Sequence, residues 1–477
     1  MKTVPTGVQQ IPELRFLFDK YQEQGRIEMA QKFLEEALLP SWSQWLIGQR
    51  EKGIWRIGGV YAASGVGKSR FSWQLIPMML KLLKSNENDR QHLQSPLMLR
   101  YASGETFDWN KVVKQEDRNL LIEYLENAIF IYLDVRRNGD AVTSTEFPRV
   151  KSVSAMLGTR IARKFWNLGD YADLLEVVEK NISQFELSSV FTRIRHVLEN
   201  RGKPSMLFVV VDEIQEATNI IVPKGLSETE NLGRAFHRSF VSTISAFSKS
   251  SNFFVHGCLV GTAETKSSLS LDFTDNPIAS IPIPWLPRNA VENLVRSNFP
   301  FGSDLLKSRF FLRMLTLAGG NSRLLESLYG VIQNLTKRER PLSSTNTIDS
   351  FQIDLLGKWI DFARARFSVH LSEWSTSTQK MALLLAMTGI PVSMEDKLTL
   401  KKIDPTGNKV VESLSFFTLE TNGIIQRRAL PLYDEWEQPK PWGTSEKHVL
   451  QISPLIAYMI FEKLAIESMI VGMFFFF

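Results

Sequence analysis

One cysteine in 477 residues, Cys258, leaves an intrachain disulfide nothing to join. A disulfide-built secreted scaffold is thereby excluded, and a reducing intracellular setting, cytoplasmic or nuclear, is expected. Histidine is equally sparse: His92, His196, His237, His256, His370 and His448 stand singly, without a His-x-x-x-His or Cys-x-x-Cys partner, so no transition-metal site is legible. Apolar runs long enough for a bilayer are missing too. The longest, residues 469–477, is about half of what a membrane helix needs, and Lys463 and Glu467 stand just before it, so no membrane span is expected. The first thirty residues carry Glu13, Asp19, Glu23 and Glu28 and lack the apolar core of a signal peptide. Nor is there much charge of one sign. Fifty-six basic against 51 acidic residues leave +5, which permits an anionic partner without demanding one. What remains, 44% hydrophobic and 22% charged residues, is an ordinary globular chain with room for roughly two to four domains. The closing phenylalanines, 474–477, read either as a short strand docked on the last domain or as the abrupt end of a shortened chain.

Periodicity divides the chain. Over residues 1–50 apolar positions such as Met29, Phe33, Leu34, Ala37 and Leu38 return at three- and four-residue steps, the mark of a helical N-terminal extension. A mostly apolar run then ends at Tyr61, and a glycine-bearing loop and a helix to about Leu83 follow, with Pro77 expected to kink that helix. Further strands are expected at 129–135, 206–211, 253–260 and 281–286, the last carrying Pro282 and Pro284 as an edge strand or strand end would. The wholly apolar 206–211 run suits a strand buried on both faces of a parallel sheet. Strands alternating with helices over 51–287 predict an α/β fold, a P-loop NTPase core with a parallel sheet flanked by helices. A helical lid over 288–340, broken at Gly319-Gly320, and a mostly helical, winged-helix-like C-terminal domain over 351–477 complete the expected order, with 337–350 as the linker.

Residues 62–69, Ala-Ala-Ser-Gly-Val-Gly-Lys-Ser, fit the phosphate-binding loop with alanine at its first position. Backbone N–H groups of Ala63, Ser64, Gly65, Val66 and Gly67 would form an anion nest, glycine being needed where a side chain would block the phosphates. Lys68 would bring a point charge to the terminal phosphates and Ser69 a hydroxyl to Mg²⁺, with the positive end of the following helix facing the anion. A triphosphate also needs a carboxylate at a strand end to hold the magnesium, and Asp212 closes Val209-Val210-Val211. Glu213 beside it would orient and deprotonate the attacking water. Thr262 stands where a hydroxyl meets either the γ-phosphate and the water or merely local backbone. Arg323, opening a helix after Gly319-Gly320-Asn321-Ser322, is a sensing arginine over the nucleotide or a solvated surface arginine. Between Phe147 and Gly169, Arg149, Lys151, Arg160, Arg163 and Lys164 occur with no acid. They form a phosphate-facing surface, an ordinary solvated helix face, or the source of an arginine finger for a neighbouring subunit.

Residues 45–335 resemble the ATPase module of Crinkler-type effectors and of trypanosomal retrotransposon hot spot proteins, a branch of the AAA+/STAND-like P-loop ATPases. The likeness rests on residues 62–69, on Leu133-Asp134-Val135 before Asn138-Gly139, on Val211-Asp212-Glu213-Ile214-Gln215, on Gly261-Thr262, and on Gly319-Gly320-Asn321-Ser322-Arg323. It implies an ATP-hydrolysing domain with a helical lid in which Lys68, Ser69, Asp212 and Glu213 keep the roles just derived, and delivery into a host cell. The ubiquitin-like header and the nuclease-like or kinase-like tail of that family are not recognisable in the flanks. Three readings stand side by side: a Mg²⁺-dependent ATPase that switches conformation, with a homo-oligomer as one route; a nucleotide-bound scaffold for a protein partner that hardly hydrolyses; and an effector acting on nucleic acid.

Overall fold

Strands that are apolar along almost their whole length have to be covered on both faces, and three of them form the middle of the sheet. The computed structural model describes residues 26–48, 56–62, 66–85, 97–100, 105–136, 140–200, 202–223, 229–247, 253–262, 278–299, 301–338, 355–361, 392–393, 397–403, 409–415, 425–429, 447–452 and 456. The chain divides into two compact units; of the described residues the first holds 26–61 and 68–283, the second 62–67 and everything from 284 onward.

The first unit is built on five strands, β1 (Ile57–Tyr61), β2 (Ile129–Asp134), β3 (Ser205–Asp212), β4 (Phe253–Gly261) and β5 (Ile278–Pro282), all parallel, in the order β2-β3-β4-β1-β5. Every residue of β1, β3 and β4 is buried. Helices flank the sheet, so the α/β parallel architecture read from the alternating pattern is the one observed. One strand, β4, is inserted between β1, which leads into the glycine loop, and β3, which ends in the two acids.

Two glycines decide how closely the covering helices approach. Gly58 of β1 pairs with Cys258 of β4, so Gly58 and Gly257 offer their missing side chains to opposite faces of the sheet. A Cβ on Gly58 would fall 1.9 Å from the Phe33 ring, and one on Gly257 would fall 2.4 Å from the Phe240 ring. Phe33 belongs to the helix Ile27–Phe33, which widens into a π turn over Leu34–Leu38 before Leu39–Ile47, and Phe240 to the helix Leu232–Phe247. The helical character expected for the N-terminal extension therefore holds for residues 27–47, which line one face. His256 is buried between Phe33 and Phe208, and burial lowers its pKa to about 4, so it sits in the core as a neutral ring.

The last strand departs from expectation. Residues 281–286 were the sequence candidate, whereas β5 runs Ile278–Pro282 and, among the described residues, pairs only with β1, from Ile57↔Ile278 to Tyr61↔Pro282. Its place at the edge agrees with its prolines, and Pro282 ends it because no N–H is left to continue a ladder. Pro77 lies on the exposed side of one helix, α1 (Lys68–Lys84), which continues past it as a single element. The basic helix α2 spans Val153–Trp166.

In the second unit the helices Arg288–Asn298, Gly302–Leu305 and Arg309–Ala318 lead to α3 (Ser322–Arg338). The Gly319-Gly320 break has a steric cause: both have positive φ, +58° and +79°, and a Cβ on Gly320 would stand 2.2 Å from the Leu286 carbonyl oxygen. A helix over 355–361 docks on α3 through Trp359, whose Nε1 donates to Leu324 O and Ser327 Oγ. Beyond it the described residues form a three-stranded antiparallel sheet from Val392–Ser393, Ile425–Ala429 and Lys447–Ile452, and an antiparallel pair from Lys397–Ile403 and Lys409–Ser415. Period-two alternation such as Lys397-Leu398-Thr399-Leu400-Lys401 explains strands within a region whose described helix is confined to 355–361 and residue 456. Most of the expected linker, the phenylalanine end and residues 1–25 lie outside the described residues. Among those described, no helix is long and apolar enough to cross a membrane.

Candidate functional site

In an open parallel sheet the crevice outside the carboxyl ends of the strands is where ligands collect. The register brings the relevant tips level: Tyr61 pairs with Gly261, Val211 with Leu259, and Asp134 with Asp212. Main-chain bonds tie the tips beyond the ladders, Val135 N–H to Asp212 O at 3.2 Å and Ile214 N–H to Val260 O at 3.1 Å. Thr262, buried, follows directly on β4.

After β1 the loop begins at Ala62, and Val66 is fully buried. Gly67 has φ +89°, a conformation that a side chain resists, and the helix starts at the next residue, Lys68. Ala63, Ser64 and Gly65 lie outside the described residues. Lys68 and Ser69 are the first two residues of α1, partly exposed at its N-terminal end.

Ser69, far from Asp212 in the chain, stands near enough to it to lower its pKa. Asp212 is buried, its Oδ1 accepts the Glu213 N–H at 2.8 Å, and its Oδ2 accepts the hydroxyl proton of Tyr132 on β2. Burial first, and then the neighbouring Glu213 charge, push the Asp212 pKa up to about 6, while nearby Ser69 and the bonds from Tyr132 and the Glu213 N–H pull it down. Its hydroxyl partner Tyr132 is raised well above the ordinary range, by burial and then by the Asp212 charge.

Glu213 is one of four non-glycine residues with positive φ among those described, at +57°. Its carboxylate accepts from Gln215 Nε2, and Arg136, just past the tip of β2, brings Nη1 to 3.9 Å from the same oxygen. A hydroxyl and a carboxylate near one another, as Ser69 and Asp212 are, are hard oxygen donors suited to Mg²⁺, which takes one or two such protein groups and fills its sphere with phosphate oxygens and water. Among the described residues there is no cluster of three His, Cys, Asp or Glu that would hold a metal by itself.

Arg323 belongs to the second unit. It is the second residue of α3, and its N–H donates to Oδ1 of buried Asn321, which also accepts Leu324 N–H and so caps the helix.

The basic stretch 147–169 is corrected by the structure. Arg160 is completely buried, forked onto Glu146 at 2.8 and 2.7 Å and bonded to the Asp140, Ala141 and Met156 carbonyls. Arg163 and Lys164 both face Asp140, at 2.5 and 3.1 Å. Acids upstream of the segment neutralise it, so these three residues are neither an open phosphate-facing surface nor an ordinary solvated face, and Arg160 is no finger.

Sequence reading missed Tyr132, Arg136 and Gln215. The one signal was a tyrosine inside the buried run Ile-Phe-Ile-Tyr-Leu-Asp, since a buried phenol needs a hydrogen-bond partner.

No family model matches the chain, and a search of curated proteins finds no match. Among solved structures, the Aeropyrum pernix ORC1 protein in complex with DNA aligns over 96% of this chain and 97% of its own, at 12% identity and a TM-score of 0.36. The Aeropyrum pernix ORC2 protein, in ADPNP-ADP complexes, aligns over 97% of each chain at 11% identity and a TM-score of 0.35. Likenesses this loose say nothing of what the chain binds, and the site's chemistry has to be argued from its own residues.

Proposed function

We propose that the chain binds ATP with Mg²⁺ at the tips of β1, β3 and β4 and hydrolyses it. The observation that carries the reading is the sheet register, which sets the ends of β1 and β3 on either side of the end of β4, Tyr61 level with Gly261 and Val211 with Leu259. On this reading the loop after β1 and the two acids after β3 flank the tip of β4, one on each side.

In this reading the loop N–H groups and the start of α1 bind the phosphates, and Lys68 neutralises the terminal ones. Ser69 and Asp212 hold the cation, whose charge, when bound, offsets that developing on the β- and γ-oxygens. Glu213 takes the proton of the attacking water, Thr262 orients that water or the γ-phosphate, and Arg323 senses the nucleotide. Hydrolysis then switches the relation of the core to the lid and C-terminal domain, as the Crinkler-like resemblance implies, with self-assembly as one route. The domain limits stay as the sequence suggests them: an extension over 1–50, a core over 51–287, a lid over 288–340 and a C-terminal domain over 351–477.

A second reading has an observation of its own. With its carboxylate engaged by Gln215 and close to Arg136, Glu213 is occupied before any water arrives. That favours a nucleotide-bound scaffold with little turnover. The nucleic-acid reading keeps only the family likeness, because Arg160, Arg163 and Lys164 are committed to acids.

Binding and turnover of ATP by wild type, Lys68→Ala and Glu213→Gln separate these readings. Lys68→Ala should lose binding, and Glu213→Gln should bind while turning over about a hundredfold or more slowly, the scale of a lost general base. Equal turnover by Glu213→Gln and wild type would overturn the mechanism; tight binding with negligible wild-type turnover would select the scaffold.

A further inference from the structure

Tyr132 has no part in the roles above, yet its hydroxyl donates to Asp212 Oδ2, the carboxylate assigned to the cation. Ser69, the other group assigned to it, stands close enough to lower the pKa of both Tyr132 and Asp212. A buried hydroxyl of β2 thus holds the acid of β3 beside the start of α1.

The ring behind that hydroxyl is fixed as well. Trp73, one turn after Ser69 on α1, stands edge-on to Phe130 at 5.0 Å and to Tyr132 at 5.9 Å, and Phe130 lies 6.4 Å from Tyr132. The helix that carries Ser69 is therefore fastened to the strand that carries Tyr132 by the same aromatic group. A carboxylate turns easily about its last torsion. With Oδ1 held by the Glu213 N–H and Oδ2 by Tyr132, that of Asp212 has its plane fixed from both sides.

We propose that Tyr132 is a positioning residue for the cation, holding Asp212 and Ser69 in the one mutual arrangement that receives Mg²⁺ together with the nucleotide. The proposal rests on the nucleotide reading and adds to it the group that sets how strongly Mg²⁺ is taken. Partners that orient a metal ligand without touching the metal change affinity by roughly ten- to a hundredfold when removed.

The test uses the full chain and a fluorescent mant-labelled non-hydrolysable ATP analogue, titrated first in EDTA and then with rising Mg²⁺. Tyr132→Phe keeps the ring and loses only the hydroxyl. It should bind the analogue in EDTA within about twofold of wild type and need about tenfold more Mg²⁺ for half of the Mg²⁺-dependent gain. An unchanged midpoint in Tyr132→Phe overturns the proposal while leaving the nucleotide reading intact. Absence of any Mg²⁺-dependent binding by wild type removes both. Should Tyr132→Phe fold poorly, the pair Asp212→Asn and Asp212→Asn/Tyr132→Phe decides. A hydroxyl that acts through Asp212 adds nothing once the carboxylate is gone, and a further loss in the double variant refutes it.

Discussion

Arg160 and Asp212 are both buried charged residues of the first unit, and they are treated in opposite ways. Arg160 lies among acceptors: a bidentate carboxylate from Glu146, three carbonyls, and the Tyr171 ring 4.1 Å below its guanidinium. Glu146 takes a further bond from the Tyr171 hydroxyl. The charge of one partner is answered by the other inside the protein. Asp212 is held by one hydroxyl and one N–H, stands beside a second acid, and is pushed toward its protonated form. One assembly pairs opposite charges; the other sets a buried acid beside a second acid. Burial of charge does not by itself mark a site, and the way that charge is balanced separates a structural pair from a binding group.

Breaking each assembly should move stability in opposite directions. The largest effect belongs to Arg160→Met, which strands Glu146 in the core and should cost about 3–5 kcal/mol in urea unfolding, with ATP affinity per folded molecule unchanged. A loss under about 1 kcal/mol would mean that Glu146 finds other relief and that the contrast is overstated. Asp212→Asn should do the reverse. The folded pKa of Asp212, about 6, lies above its ordinary value of 3.8, so the proton is held more tightly in the native state. Its stabilising contribution is present below about pH 4 and is lost as pH rises through about 6. At pH 7 without Mg²⁺, Asp212→Asn should therefore be more stable than wild type by about 3 kcal/mol, an advantage that shrinks toward zero by pH 4. Unfolding curves across that range check the sign, and a variant less stable than wild type at pH 7 would make Asp212 a structural acid like Glu146.

This contrast was only half legible in the sequence. The layered α/β fold could be read because Met206 to Val211 and Phe253 to Val255 are unbroken apolar runs, and strands of that kind have few alternatives to the middle of a parallel sheet. The loop at 62–69 and the acids at 212 and 213 could be read because phosphate chemistry fixes their spacing. The partners of Arg160 could not, since helical periodicity places it on a face and says nothing of Glu146, fourteen positions earlier, folding under that face. Tyr132 stayed hidden for the same reason: its bond to Asp212 depends on the β2-β3 register, which exists only once the sheet has formed. The last strand slipped because apolar character continues through Ile283 while pairing stops at Pro282.

The smallest expected effect carries the comparison down to the backbone. Lys151, Asn167 and Glu213 all have φ near +50°, where a side chain costs roughly 1–2 kcal/mol. Lys151 and Asn167 end helices, Glu146–Val150 and α2, and a left-handed residue at that position is a common way of closing the last turn. Glu213 ends no helix. It follows a strand tip, and the turn it makes lets its own N–H reach the Asp212 carboxylate. Glycine at either kind of position should relieve the strain, leaving a net gain of about 1 kcal/mol or less after its larger loss of freedom on folding. Lys151→Gly should then gain stability at constant ATP turnover, whereas Glu213→Gly should gain as much while turnover falls with the loss of its carboxylate. Were both to leave turnover untouched, the twist at Glu213 would be another piece of chain closure, and the acid beside Asp212 would have no claim on the water.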